Sequence, residues 1–138
     1  MVCTIVKDVM FLAMKSEPAK DCPEDRKTVQ DLCDTLKAHG GVCVGMAANM
    51  IGVRKCIIAV TMGFFQVPMI NPIIVEREDP YDTEEGCLSL TGVRPVKRYN
   101  KITVEYLDAN FQPKRTTYEG RIAQIIQHEY DHTRGIVV

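Results

Sequence analysis

The chain has 138 residues, 46% of them hydrophobic and 25% charged, with 17 basic residues against 18 acidic ones. That composition is ordinary for a globular protein, and no basic stripe points to nucleic acid as a ligand. No run of about eighteen apolar residues occurs, and Met1-Val2-Cys3-Thr4-Ile5-Val6-Lys7 lacks the order of a secretory signal, so neither a membrane span nor export is expected.

The length predicts one domain over residues 1–138. Six cysteines, at positions 3, 22, 33, 43, 56 and 87, show no paired spacing, which predicts reduced thiols and a cytoplasmic protein. From Ser16 to Arg26 two prolines and many charges read as a loop. A helix follows over Asp25–His39, with Val29, Leu32, Cys33 and Leu36 at helical spacing and Gly40-Gly41 as its stop. Residues 42–52 are small and apolar, suited to tight packing beside a site. Cys56–Val60 reads as a buried strand, and Val67–Glu76 as an extended segment bent at Asn71-Pro72. Lys101–Leu107 alternates polar and apolar, Asp108-Ala109-Asn110 turns, and Pro113–Tyr118 returns as a partner strand. Glu119-Gly120 then leads into a last helix. This order argues an α+β fold, with largely antiparallel sheets around that central helix.

The last helix carries Gln127-His128-Glu129-Tyr130-Asp131-His132. Histidines four apart project from one helix face and can share a metal ion, and Glu129, about 100° around from His128, can reach a water beside it. A structural cluster of polar residues is the competing reading. Against it, Ile122, Ala123, Ile125 and Ile126 mark this helix as buried, where two histidines and two acids need partners. After His132 the chain offers no His, Cys, Asp or Glu, so a third protein ligand has to come from upstream. Glu85-Gly86-Cys87-Leu88-Ser89 stands out, because a loop thiolate can complete a two-histidine site and leave one position open for water. Taken alone, Cys87 is one cysteine in six, and a free buried thiol is the commoner outcome.

Together, Glu85-Gly86-Cys87-Leu88-Ser89 and His128-Glu129-Tyr130-Asp131-His132 resemble the second and third signature motifs of the peptide deformylases, which remove the formyl group from the N-terminal formyl-methionine of new polypeptides. The resemblance extends over nearly the whole chain, including Ile5-Val6, Gly45 to Ala48 and Gln127. It implies that Cys87, His128 and His132 hold one divalent metal ion, Fe2+ natively with zinc, nickel or cobalt able to replace it. It makes Glu129 the general base and acid, and it assigns the backbone N–H of Leu88 to the oxyanion. Val44, Gly45, Met50 and Arg94 are the implied substrate contacts, and Glu85 with Arg98 an ion pair that steadies the cysteine loop. For both arginines, a solvated surface charge is the alternative. Asp131 fits an orienting or ion-pairing role. Implied partners are N-formylmethionyl peptides and the ribosome, and the short tail after Gly135 is expected to bear on ribosome docking more than on chemistry.

The pattern breaks in the first motif. It reads Gly-x-Gly-x-Ala-Ala-x-Gln in the family and Cys43-Val44-Gly45-Met46-Ala47-Ala48-Asn49-Met50 here. The lost glutamine would donate to the oxyanion, and a thioether donates nothing. Asn49 could supply a carboxamide only if the backbone shifted, because a one-residue step in extended chain reverses the side chain's direction. Cys43 is either inert packing or a thiol at the metal's edge. Three readings follow: a deformylase of weakened activity, a non-catalytic metal and peptide binder, or an amidase for another small N-acyl substrate.

Overall fold

Strand β2 (Ile57–Met62) is apolar on both faces, and a layer must cover each. Successive side chains of a strand point to opposite sides. Ile57 and Ala59 accordingly join one core while Ile58 and Val60 join the other. The computed structural model, which describes residues 1–41, 43–87 and 91–136, covers the two faces with two helices. After a single turn, α1 (Val9–Leu12), helix α2 (Pro23–Ala38) sends Val29, Leu32 and Leu36 into the first core. Helix α3 (Gly120–Thr133) sends Ala123, Ile125 and Ile126 into the second. Between them lies a five-stranded sheet, β1 (Gly45–Ala47), β2, β3 (Phe65–Glu85), β4 (Arg94–Leu107) and β5 (Pro113–Glu119), in sequence order with every neighbouring pair antiparallel. The expected α+β class holds. Among the described residues, no helix is long and apolar enough to cross a membrane.

Three of the element boundaries that differ from expectation do so for evident physical reasons. Helix α2 begins at Pro23 rather than Asp25, since proline in the first turn has no N–H to waste, and Glu24 and Asp25 there complement the helix dipole. Strand β3 does not stop at Glu76, and β4 starts at Arg94 rather than Lys101. Residues 76–80 are exposed and almost all charged, so no hydrophobic period marks them, yet β3 remains paired with β4 out to Glu85↔Arg94. That long ribbon carries Cys87 just beyond the end of β3, against α3.

The bend expected at Asn71-Pro72 is present. Asn71 has φ 50, the register slips there, and its carboxamide accepts from Ala19 N at 2.8 Å and donates to Ala19 O at 3.0 Å. At the far end of α3, Ser16 N donates to Thr133 O at 2.9 Å, and Gly135 adopts φ +75 against the exit of α1. A Cβ on Gly135 would lie 2.5 Å from Ala13 O. We expect Gly135→Ala to lower stability by more than the ~1–2 kcal/mol cost of the left-handed conformation alone. Urea unfolding midpoints measure this, and an unchanged midpoint would contradict the packing of the tail on Ala13.

Candidate metal centre

On α3, Arg121, Gln124, Ile125, His128 and Glu129 recur at spacings of three and four and so share one helix face. This face forms one wall of a cavity of about 280 Å³. Cys43, Val44, Gly45 and Met50 form a second wall, and Glu84 to Cys87, leaving β3, form the third. Gly45 is required by proximity: a Cβ there would stand 2.6 Å from Ile125 Cγ2 and 2.9 Å from Glu129 Oε2.

Cys87, His128 and His132 each offer one ligand atom, all within 4.8 Å of one another. The two Nε2 atoms face each other at 3.1 Å, too close for two lone pairs unless something lies between them, a proton or a metal ion. One thiolate and two imidazoles are a donor set that zinc and iron accept. His128 is also oriented as metal-binding histidines usually are, through its second nitrogen: Nδ1 sits 2.7 Å from Glu85 Oε1. The residues present therefore fit a divalent metal.

Electrostatics agree with the geometry. Burial penalises charge on both rings, but Glu129, Cys87 and Glu85 outweigh it at His128 and raise that ring above its ordinary value. His132 is pushed down, first by burial and then by the charge on His128, so one positive charge suits the pair. Burial pushes Glu129 up to about 7. Its Oε1 is buried and has no hydrogen-bond partner among the described residues.

Glu85 is the hub of the surroundings. Burial alone would raise its pKa, yet hydrogen bonds from His128, Arg98 and Gln124 hold it at about 2. Arg98 donates to it from Nε at 3.0 Å and Nη2 at 2.7 Å, and to Asp131 from Nη1 at 2.7 Å. The solvated alternative for Arg98 is thus excluded, and Asp131 is an ion-pair partner. Gln127 clamps α3 to β4, accepting from Tyr99 N at 2.9 Å and donating to Tyr99 O at 2.8 Å.

The other expected residues divide. Val44, Gly45 and Met50 line the cavity. Met50 Sδ is 3.5 Å from Ala47 N, so the thioether accepts where a carboxamide would donate. Cys43 also lines it, donating from Sγ to Gly45 O at 2.8 Å, its thiol pushed up to about 11 by burial and the Glu129 charge. Asn49 faces away: its Nδ2 donates to His132 O at 3.1 Å, which rules out its standing in at the oxyanion. Arg94 begins β4 and is not among the cavity's described lining residues. Leu88 lies outside the described residues. Among the described lining residues Arg121 supplies a guanidinium, which the sequence reading missed along with Glu84 and Gln124. The three-and-four spacing back from His128 was the available signal for Arg121 and Gln124.

The sequence model described as polypeptide deformylase matches residues 2–138. A peptide deformylase of Clostridium beijerinckii is 54% identical over 138 residues, covering 100% of both chains. Peptide deformylase 1 of Clostridium perfringens is 41% identical over 112 residues, 79% of this chain and 75% of that one. Among solved structures, a Legionella pneumophila peptide deformylase superposes with a TM-score of 0.87 at 32% identity, over 98% of this chain and 82% of its own. A Met-Ala-Ser-bound deformylase of Acinetobacter baumannii gives 0.89 at 26% identity, over 99% and 97%.

The depressed pKa of Glu85 has a signed consequence. A carboxyl held at about 2, below its ordinary 4.5, stabilises the fold above the ordinary value and loses that contribution as pH falls through about 2. We expect metal-free protein to lose stability across that window and Glu85→Gln to flatten the loss. Urea unfolding of both proteins at several pH values tests it, and parallel pH profiles would refute the role of Glu85.

Proposed function

The chain belongs to the polypeptide deformylase family, and we propose from that premise that Cys87, His128 and His132 hold the catalytic metal while Glu129 moves the proton. The activity is the family's, a metal-dependent hydrolysis that releases the formyl group from N-terminal formyl-methionine. The observation that carries the residue assignment is the cluster of three ligand atoms within 4.8 Å, beside a cavity lined by Glu129, whose Oε1 has no hydrogen-bond partner among the described residues.

When bound, the metal lowers the pKa of a water towards neutrality and polarises the formyl carbonyl. Glu129 takes the water's proton as the formyl carbon is attacked. It returns that proton to the amine nitrogen as the C–N bond breaks, leaving formate and a free N-terminus. Burial raises this carboxyl to about 7 in the metal-free site, and a bound cation would draw it back down, towards the ionised form that accepts the water's proton. Glu85 keeps His128 turned through Nδ1. Val44 and Gly45 are assigned to the peptide, a reading supported by their place on the cavity wall. The Leu88 N–H is assigned to the oxyanion, and Arg94 to substrate beyond the cavity itself. Ferrous iron is the native metal on this reading, with zinc, nickel or cobalt as substitutes, and the enzyme works in the cytoplasm on chains leaving the ribosome.

Met50 favours a second reading, a metal and peptide binder with little turnover, because the wall beside Glu129 presents a sulfur acceptor where a donor is needed. Metal analysis of protein purified without oxygen, followed by formate release from a formyl-methionyl peptide, separates the two. We expect one metal per chain and measurable formate; a metal-replete protein that releases none while a control enzyme does would refute the deformylase reading and leave the binder or an amidase for another small N-acyl substrate. Met50→Gln should raise turnover by up to about a hundredfold, since one oxyanion donor is worth roughly that much. An unchanged rate would mean the missing carboxamide is not limiting. Glu129→Ala should abolish formate release while the metal stays bound, and full activity in that variant would refute the assigned base.

A further inference from the structure

The two histidines of the centre are held in different ways. His128 is oriented through its ring, by Glu85 on Nδ1. His132 is fully buried, and its Nδ1 has no hydrogen-bond partner among the described residues. Its ring direction depends on where the backbone puts it. That backbone is the last turn of α3, where carbonyls lack the regular helical partner four residues on and helices fray, His132 O being met instead by Gly135 N.

Asn49 occupies this gap. It is 1% exposed, in the single 3₁₀ turn Ala48–Ile51, and points away from the cavity. Its Nδ2 donates to His132 O at 3.1 Å and reaches Leu12 O at 3.5 Å. The turn is itself fixed, because Val6 N donates to Met50 O at 2.8 Å. We propose that Asn49 is a positioning residue for the metal ligand His132, its carboxamide tying the carbonyl of that residue to the turn that carries Met50. This rests on the assignment of Cys87, His128 and His132 as ligands. Gly135 N also donates to His132 O at 3.1 Å, so that carbonyl keeps a partner without Asn49, and what Asn49 adds is the link from the helix end to the 3₁₀ turn.

Full-length metal-free protein titrated with Co2+ under anaerobic conditions provides the test, with Asn49→Ala and the near-isosteric Asn49→Leu, which keeps the turn packed if alanine does not. The expected result is a ten- to hundredfold weaker cobalt affinity, the usual scale for a residue supporting a ligand. The visible ligand-field bands should change while the near-ultraviolet thiolate-to-cobalt band of Cys87 persists. Wild-type affinity and an unchanged spectrum in a folded variant would overturn the proposal, as would a loss confined to urea stability. If wild-type protein itself shows no thiolate-to-cobalt band, the ligand assignment fails rather than the role of Asn49.

Discussion

The Glu85 carboxylate is the point on which this molecule turns. It ends β3, accepts two hydrogen bonds from Arg98 of β4 and one from Gln124 of α3, and fixes His128 on the same helix. Two neighbouring strands and the last helix thus meet at one buried anion. A charge in such a place is costly unless every lone pair finds a donor, and breaking one side of a buried pair commonly costs about 3–5 kcal/mol. The network therefore makes the position of the cysteine loop, two residues further on, an outcome of electrostatics as much as of chain geometry.

The remaining layers keep α3 from shifting against that anchor. Side chains of its apolar face fill the second core, Gln127 grips both backbone groups of Tyr99, and the segment leaving α1 meets the helix's end at Thr133 and Gly135. Catalytic groups gain from such over-determination, because a ligand set works only within narrow limits of distance and angle. Glu129 shows the other side of the same economy: it is buried, and its Oε1 has no hydrogen-bond partner among the described residues, as functional sites often allow.

Consecutive residues of the 3₁₀ turn serve two different sites. Met50 lines the cavity, while Asn49 points to the end of α3. A carboxamide moved from one position to the other is a change of function and not a small displacement. The chain's two departures from the family pattern, Cys43 and Met50, both lie on this cavity wall.

Residue identity and spacing alone determined the α+β class, the buried strand read at 56–60 and found at 57–62, the bend at Asn71-Pro72, and the histidine pair with its acid. Each is a local property: a period of two, a proline, a helical spacing of four. The extended reach of β3 and β4 was hidden because a solvated ribbon has no hydrophobic period to read, and its ladder is made by backbone groups that every residue shares. Only the tertiary structure decided that Arg98 is buried and paired, that Asn49 serves His132, and that Arg121 and Glu84 line the cavity. Those facts depend on which way side chains point when remote segments pack together. Direction of that kind comes from the whole set of contacts and is written in no single stretch of sequence.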